Sequence, residues 1–313
     1  MTLAVGIVGG GPWGLALARA VARAGNEVTL LTRREAKDSR LIRVTDQYAE
    51  VAKAKLIVLA VPSNVIREVA RSLGDHVDGG HLVVHGIRGL APEGTEEGSA
   101  GTLHTVGDIL REETPIRRMG ALGGPVQVDE LHHGTASAIV VGSAYQEVVS
   151  AVTKAFSGPW LRVYSTPDMR GLELASAMVG CVSVGVGFAK AGGAGPGLLA
   201  ALISRAVHDA GRLAALAGAE ETTIYGLGGY GDLLASIALE RRPEVVLGRA
   251  LATGATLEAA TKEAFLRVEA LELIPRLCAF AKARGVQAPA FDGLARMLEG
   301  RRGEEILGKF FQG

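Results

Sequence analysis

The chain has 313 residues, 48% of them hydrophobic and 21% charged, and its 33 basic side chains are balanced by 33 acidic ones. That length suits two domains of about 150 residues each, and the composition excludes a disordered chain, which needs low hydrophobicity and a large net charge. Zero net charge also leaves no global field to gather nucleic acid or an anionic membrane, so neither is expected as a partner and a small molecule is. The two cysteines, Cys181 and Cys278, stand in apolar surroundings without metal-ligand spacing. They read as buried packing thiols in a reducing compartment. No basic segment precedes the first apolar run, so no signal peptide is read and the expected location is cytoplasmic.

The run Ala4–Val8 reads as a strand that ends in glycines. Residues 13–24 carry apolar side chains at helical spacing and stop at Gly25-Asn26, a helix terminator. Glu27–Leu31 follows as a second strand, which completes a βαβ unit with a parallel pair. Residues 55–61, residues 81–85 and Ser137–Gly142 read as further buried strands, with helices at 65–73 and 106–111. This alternation predicts an α/β fold: an N-terminal Rossmann doubly wound parallel sheet over 1–167. From 168 to 313 the texture turns to Ala/Leu-rich helical patterns, predicting a C-terminal all-helical domain for substrate binding and dimerisation, with loops at 192–197 and 226–231. The longest uncharged stretch, 174–189, has 16 residues. A membrane span needs about 20, so it reads as a core helix.

Gly9, Gly11 and Gly14, around Gly10, Pro12 and Trp13, form a glycine-rich turn between the first strand and the first helix. In such a turn the first glycine permits the tight bend, the second lets backbone approach a pyrophosphate and the third lets helix pack on strand. The helix N-terminus then faces the negative charge. An NAD site places a carboxylate at the end of the second strand to bind the ribose 2′-hydroxyl. Here that position reads Leu31-Thr32-Arg33-Arg34. Arg33 or Arg34 can instead form charge-assisted bonds to a 2′-phosphate. NADP(H) is therefore the preferred cofactor, with NAD(H) as the alternative.

Further along, the chain carries Leu59-Ala60-Val61-Pro62-Ser63, Gly86-Ile87-Arg88-Gly89-Leu90, Gly124-Pro125 and Gly171-Leu172-Glu173-Leu174. These are followed by Gly228-Gly229-Tyr230-Gly231-Asp232-Leu233, Val268-Glu269-Ala270 and Gly285-Val286-Gln287-Ala288-Pro289. In this order and spacing the chain resembles the NAD(P)-dependent glycerol-3-phosphate dehydrogenase family over nearly its whole length. The resemblance implies a Rossmann domain, an all-helical second domain, an active site between them and, by analogy alone, a homodimer. It implies hydride transfer between a nicotinamide and a small, anionic carbonyl or alcohol substrate. It also places Val61, Pro62 and Glu269 with the glycine turn in cofactor binding.

The sequence departs from that family where the chemistry is concentrated. Val179 stands at the position of the family's acid/base lysine and Gly180 at that of its asparagine. A valine can neither donate a proton nor hold a charge. A second family lysine is Arg88, which keeps the charge but is a poor proton donor. Asp232 and Ser236 match the family's aspartate and threonine. The phosphate-gripping arginine falls near Glu240-Arg241-Arg242-Pro243, so Arg241 or Arg242 with Arg88 is expected to hold an anionic substrate. His85 or Tyr230 is expected to deliver the proton, and Asp232 with Ser236 to orient the substrate. Lys190 shares a helix face with Val179 but lies about 16 Å along the axis and reads as a solvated helix-end lysine. His132 and His133, after Asp129 and Glu130, read as a solvent-facing loop segment, and no metal site is expected. The reading is a dehydrogenase-like reductase with altered substrate or mechanism. Its alternative is a non-catalytic NADP(H)-binding sensor or scaffold.

Overall fold

The computed structural model describes residues 2–34, 39–91 and 101–300. Its strands are β1 Ala4–Val8, β2 Glu27–Leu31, β3 Ile42–Thr45, β4 Leu56–Leu59, β5 Leu82–His85, β6 Met119–Gly123, β7 Ser137–Gly142 and β8 Leu161–Thr166. They form one sheet in the order β3-β2-β1-β4-β5-β6-β7-β8. Every neighbouring pair is parallel except β6 and β7. The order reverses at β1, which has β2 on one side and β4 on the other, the switch point at which doubly wound sheets bind ligands.

Strand side chains alternate between two apolar layers, as the pleat requires. Leu56 and Val58 face one layer with helix α1 (Pro12–Arg23), while Ile57 and Leu59 face the other. Leu17 and Val21 of α1 are fully buried against the first layer. Helices α2 Tyr48–Val51, α3 Ile66–Gly74 and α4 Val106–Glu113 pack on the second layer, and α5 Val128–His133 and α6 Gln146–Phe156 on the first.

Arg67 and Arg71 of α3 reach the end of α4. Arg71 Nε lies 2.7 Å from Glu113 Oε2, Arg67 also pairs with Glu113, and Arg67 Nη2 is 2.8 Å from Glu112 Oε2. The Arg71 hydrogen bond, helped by Arg67 and opposed by partial burial, holds Glu113 below the usual carboxylate range. A carboxyl depressed in the fold stabilises it above its unfolded value near 4.5 and loses that contribution as pH falls. Glu113→Gln should therefore lower the unfolding free energy from urea titration at pH 7 slightly, by about 1 kcal/mol or less. The variant and parent free energies should converge on acidification to about pH 3. A gap that persists in acid would contradict this sign.

The remaining helices are α7 Met169–Ala191, α8 Pro196–Leu216, α9 Glu221–Tyr225, α10 Asp232–Ile237, α11 Pro243–Ala252, α12 Leu257–Glu263, α13 Ala270–Ala283 and α14 Pro289–Leu298. The chain divides into a unit of 1–92 with 104–173 and a helical unit of 93–103 with 174–313. The division falls at Glu173, inside α7, rather than at 167, because Met169 and Leu172 belong to the sheet's second apolar layer. Among the described residues α7 alone is long and apolar enough to cross a membrane, yet 83% of that window is buried inside the protein. It serves as a core helix.

Several local expectations need correction. Strands β3, β6 and β8 went unread. Arg43 and Arg162 interrupt the apolar runs of the two edge strands, and β6 holds two glycines among five residues. The segment expected as a loop at 226–231 contains a π-helical turn, Leu227–Gly231. His132 and His133 close helix α5 rather than sitting in a loop, with Arg19 against His132 and the Asp129 carbonyl 2.8 Å from His133 Nδ1. Lys190 is exposed in the last turn of α7, and its Nζ also donates to the Ile237 carbonyl at 3.0 Å. Cys181 is buried but Cys278 is only half-buried.

Helices α7 and α11 cross at a distance set by glycine. A Cβ at Gly248 would lie 1.9 Å from the Val184 carbonyl oxygen, and one at Gly187 would lie 2.3 Å from the Val245 oxygen. Backbone meets backbone at this crossing.

Candidate active site

The glycine turn leaves the carboxyl end of β1 at the switch point. Gly9 has φ +121°, and a Cβ there would lie 2.2 Å from the Ala60 carbonyl oxygen just beyond β4. A Cβ on Gly14 would lie 1.9 Å from the Gly9 oxygen, so α1 sits on the turn with no room for a side chain. Around Gly11 the situation is reversed, with nothing within 4 Å of a Cβ position. Gly11 is the N-cap of α1, and Pro12 at its first position removes a donor that would have no partner in any case. Open space beside free amide groups at a helix N-terminus is a cradle for an anion, and these residues fit a dinucleotide pyrophosphate. Val61 packs near Gly9, while Pro62 is exposed and caps a short 3₁₀ turn. At the end of β2, Arg33 and Arg34 are exposed, and the Arg34 amide donates to Thr32 Oγ1 at 3.0 Å.

The loop after β5 carries Arg88, which is half-buried, and is held from two sides. Trp13 lies over Gly86, where a Cβ would be 2.5 Å from the indole Nε1. His85 closes the strand with its ring buried, 1% exposed, and its Nε2 is 3.0 Å from Glu173 Oε1. The Ile87 amide donates to His85 Nδ1 at 3.4 Å, so the neutral ring with its proton on Nε2 satisfies both partners. Glu173, 3% exposed, also accepts from the Gly107 amide in the first turn of α4 at 2.7 Å. One carboxylate thus ties β5, α4 and the start of α7 together. His85, expected as a proton donor, is spent on this tie.

The helical unit has its own polar cluster. Asp232 opens α10 directly after the π-helical turn and is fully buried with Ser236. The Ser236 hydroxyl donates to Asp232 Oδ1 at 3.0 Å and accepts from Arg242 Nη1. Arg242, 8% exposed, is the N-cap of α11, and its Nε donates to Glu244 Oε2 at 2.9 Å. Arg241 is exposed, so of the two candidate arginines Arg242 is the one brought to Asp232 and Ser236, and Arg241 is not. Tyr230, two residues before Asp232, is 40% exposed. Glu269 is the N-cap of α13, its Oε1 3.3 Å from Arg267 Nε.

Two family profiles match, described as the NAD-dependent glycerol-3-phosphate dehydrogenase N-terminus over residues 36–149 and C-terminus over residues 168–307. A glycerol-3-phosphate dehydrogenase [NAD(P)+] of Fusobacterium nucleatum is 30% identical, covering 94% of this chain and 92% of the relative. The Afipia carboxidovorans protein of the same description is 31% identical, with 95% and 92% covered. The chain belongs to the NAD-dependent glycerol-3-phosphate dehydrogenase family. It is thus one of the NAD(P)-dependent oxidoreductases that act on CH–OH groups. The crystal structure of glycerol-3-phosphate dehydrogenase from Coxiella burnetii shares the fold, with a TM-score of 0.88 at 22% identity over 100% of this chain and 99% of that one.

The residue at the position where the resemblance placed a lysine is a valine. Val179 is 5% exposed on α7. Beside it, a Cβ on Gly180 would lie 3.5 Å from Glu244 Oε1, so the Glu244 side chain occupies the room next to that glycine. Sequence reasoning missed Glu244, and it quoted Glu173 only as part of a motif. The signal for Glu244 was present. Pro243 fixes the first position of α11, which makes Arg242 its cap and puts Glu244 in the first turn, beside that cap.

Proposed function

We propose that this dehydrogenase reduces a small carbonyl compound other than dihydroxyacetone phosphate, with NADPH as its preferred cofactor. The observation that carries the reading is the polar cluster of the helical unit, where Arg242 is already bound by Glu244 and Ser236; Val179, where the resemblance implies a lysine, supports it. When bound, the nicotinamide supplies the hydride. The chain's own residues do the rest. Gly9, Gly11 and Gly14, with the N-terminus of α1, hold the pyrophosphate, and Arg33 with Arg34 binds the 2′-phosphate. Arg88 holds a substrate oxygen, anionic or polarised, and Asp232 with Ser236 orients the substrate. The proton comes from the Tyr230 hydroxyl, because both nitrogens of His85 are engaged. A cytoplasmic setting and a homodimer belong to the same reading by family analogy.

The test is NADPH oxidation against a panel of hydroxyketones, keto acids and dihydroxyacetone phosphate, repeated on Tyr230→Phe. Enzyme-like rates on dihydroxyacetone phosphate alone would sink the altered substrate. Tight NADPH binding without turnover on any member would favour a sensor. For the cofactor, the double variant Arg33→Ala/Arg34→Ala should weaken NADPH binding about 10- to 100-fold, the worth of one or two charge-assisted bonds. NADH affinity should hardly move. Equal losses for both dinucleotides in titration calorimetry would refute the 2′-phosphate assignment.

A further inference from the structure

We propose that Glu244 determines specificity in this site: its carboxylate occupies the guanidinium of Arg242, so the helical unit accepts a carbonyl substrate that carries no phosphate. The inference rests on the oxidoreductase reading and deepens it.

Arg242 would be the anion-binding group of this cluster, but the chain supplies its anion internally. Its Nε donates to Glu244 Oε2 at 2.9 Å, and its Nη1 donates to Ser236, whose hydroxyl is turned to Asp232. The guanidinium is held by two hydrogen bonds from different directions, one of them charge-assisted. Glu244 bonds the guanidinium directly, and Asp232 is linked to it through the Ser236 hydroxyl, so two carboxylates stand around this arginine. The Glu244 side chain is 14% exposed and Arg242 8%, so water screens them poorly. The Cys181 thiol, one residue beyond Gly180, is pushed upward by burial and then by the Glu244 charge. A Cβ at Gly180 would lie 3.5 Å from Glu244 Oε1, so the carboxylate lies close to α7 at the position where the resemblance led to the expectation of an asparagine. A phosphate monoester brings a charge between −1.5 and −2 at neutral pH. Placed here it would meet two carboxylates and an arginine already in use. A hydroxyl or other uncharged group brings no charge to oppose these carboxylates and needs no free guanidinium.

Dihydroxyacetone and its phosphate make a matched pair of probes, with the same carbonyl and one group different. Wild type is expected to prefer dihydroxyacetone by at least tenfold in kcat/KM. With NADPH bound, it should show no calorimetric binding of inorganic phosphate at millimolar concentration. Glu244→Gln removes the charge and keeps the shape. It should lower the KM for dihydroxyacetone phosphate at least tenfold with kcat little changed, and it should bind inorganic phosphate. Wild type that binds phosphate as tightly as Glu244→Gln overturns the proposal, as does wild-type preference for the phosphorylated ketone. Both wild-type measurements stand if the variant does not fold. Should neither ketone oxidise NADPH in wild type, the reductase reading fails for these substrates, while the phosphate titrations still decide the role of Glu244.

Discussion

Gly14→Ala is expected to abolish useful dinucleotide binding, with NADPH affinity reduced at least 100-fold, about 2.7 kcal/mol. The added methyl would lie 1.9 Å from the Gly9 carbonyl oxygen, a backbone atom in the strained bend of the turn. Neither α1 nor the turn can yield without opening the apolar layer in which Leu17 and Val21 are fully buried. Overpacking of this kind also costs about 1–3 kcal/mol of stability. Gly11→Ala provides the contrast. Its Cβ meets nothing within 4 Å and its φ of −74° suits any residue. Stability should therefore fall by only about 1 kcal/mol, the worth of glycine over alanine at a helix N-cap, while NADPH affinity falls further because the methyl enters the space left for the pyrophosphate. Calorimetry with NADPH alongside thermal melts separates the two effects. If Gly11→Ala binds NADPH like the parent, the pyrophosphate is not cradled there.

Glu173→Ala is the second large effect, and it falls on stability. Its carboxylate accepts from the Gly107 amide at 2.7 Å and from His85 Nε2 at 3.0 Å in a site almost closed to water. Truncation leaves both donors buried without an acceptor, at a cost of about 2–4 kcal/mol. Glu173→Gln keeps an acceptor oxygen and should cost roughly 1 kcal/mol. Urea unfolding followed by circular dichroism measures both. Because His85 also holds the Ile87 amide, the alanine variant should in addition raise the KM for substrate through the Arg88 loop. Unchanged stability of Glu173→Ala would mean that water replaces the carboxylate.

The fold was legible wherever a run was apolar and bounded. β1, β2 and β7 sit where the alternation put them, and the glycine turn announced its place at the switch point. Edge strands β3 and β8 were obscured because one face is solvated and carries arginine, which breaks an apolar run without breaking a strand. The candidate site was legible by residue type and much less so by partner. Asp232 and Ser236 could be named from the resemblance alone, as matches to the family's aspartate and threonine. The choice of Arg242 over Arg241 could not, because it depends on which one caps a helix whose start is set by Pro243. His85 misled for a related reason. A strand end beside a glycine loop suggests access, but burial was decided by Glu173, 88 residues away.

The crossing of α7 and α11 bears on any attempt to change this enzyme's taste. With the Gly248 and Gly187 backbones pressed against the opposite rod, a side chain added at either glycine would drive the two apart. Gly180 lies on one of these rods and Glu244 on the other, so such a change would also disturb the spacing between them. A redesigner must therefore leave both glycines in place and work only with the side chains around them.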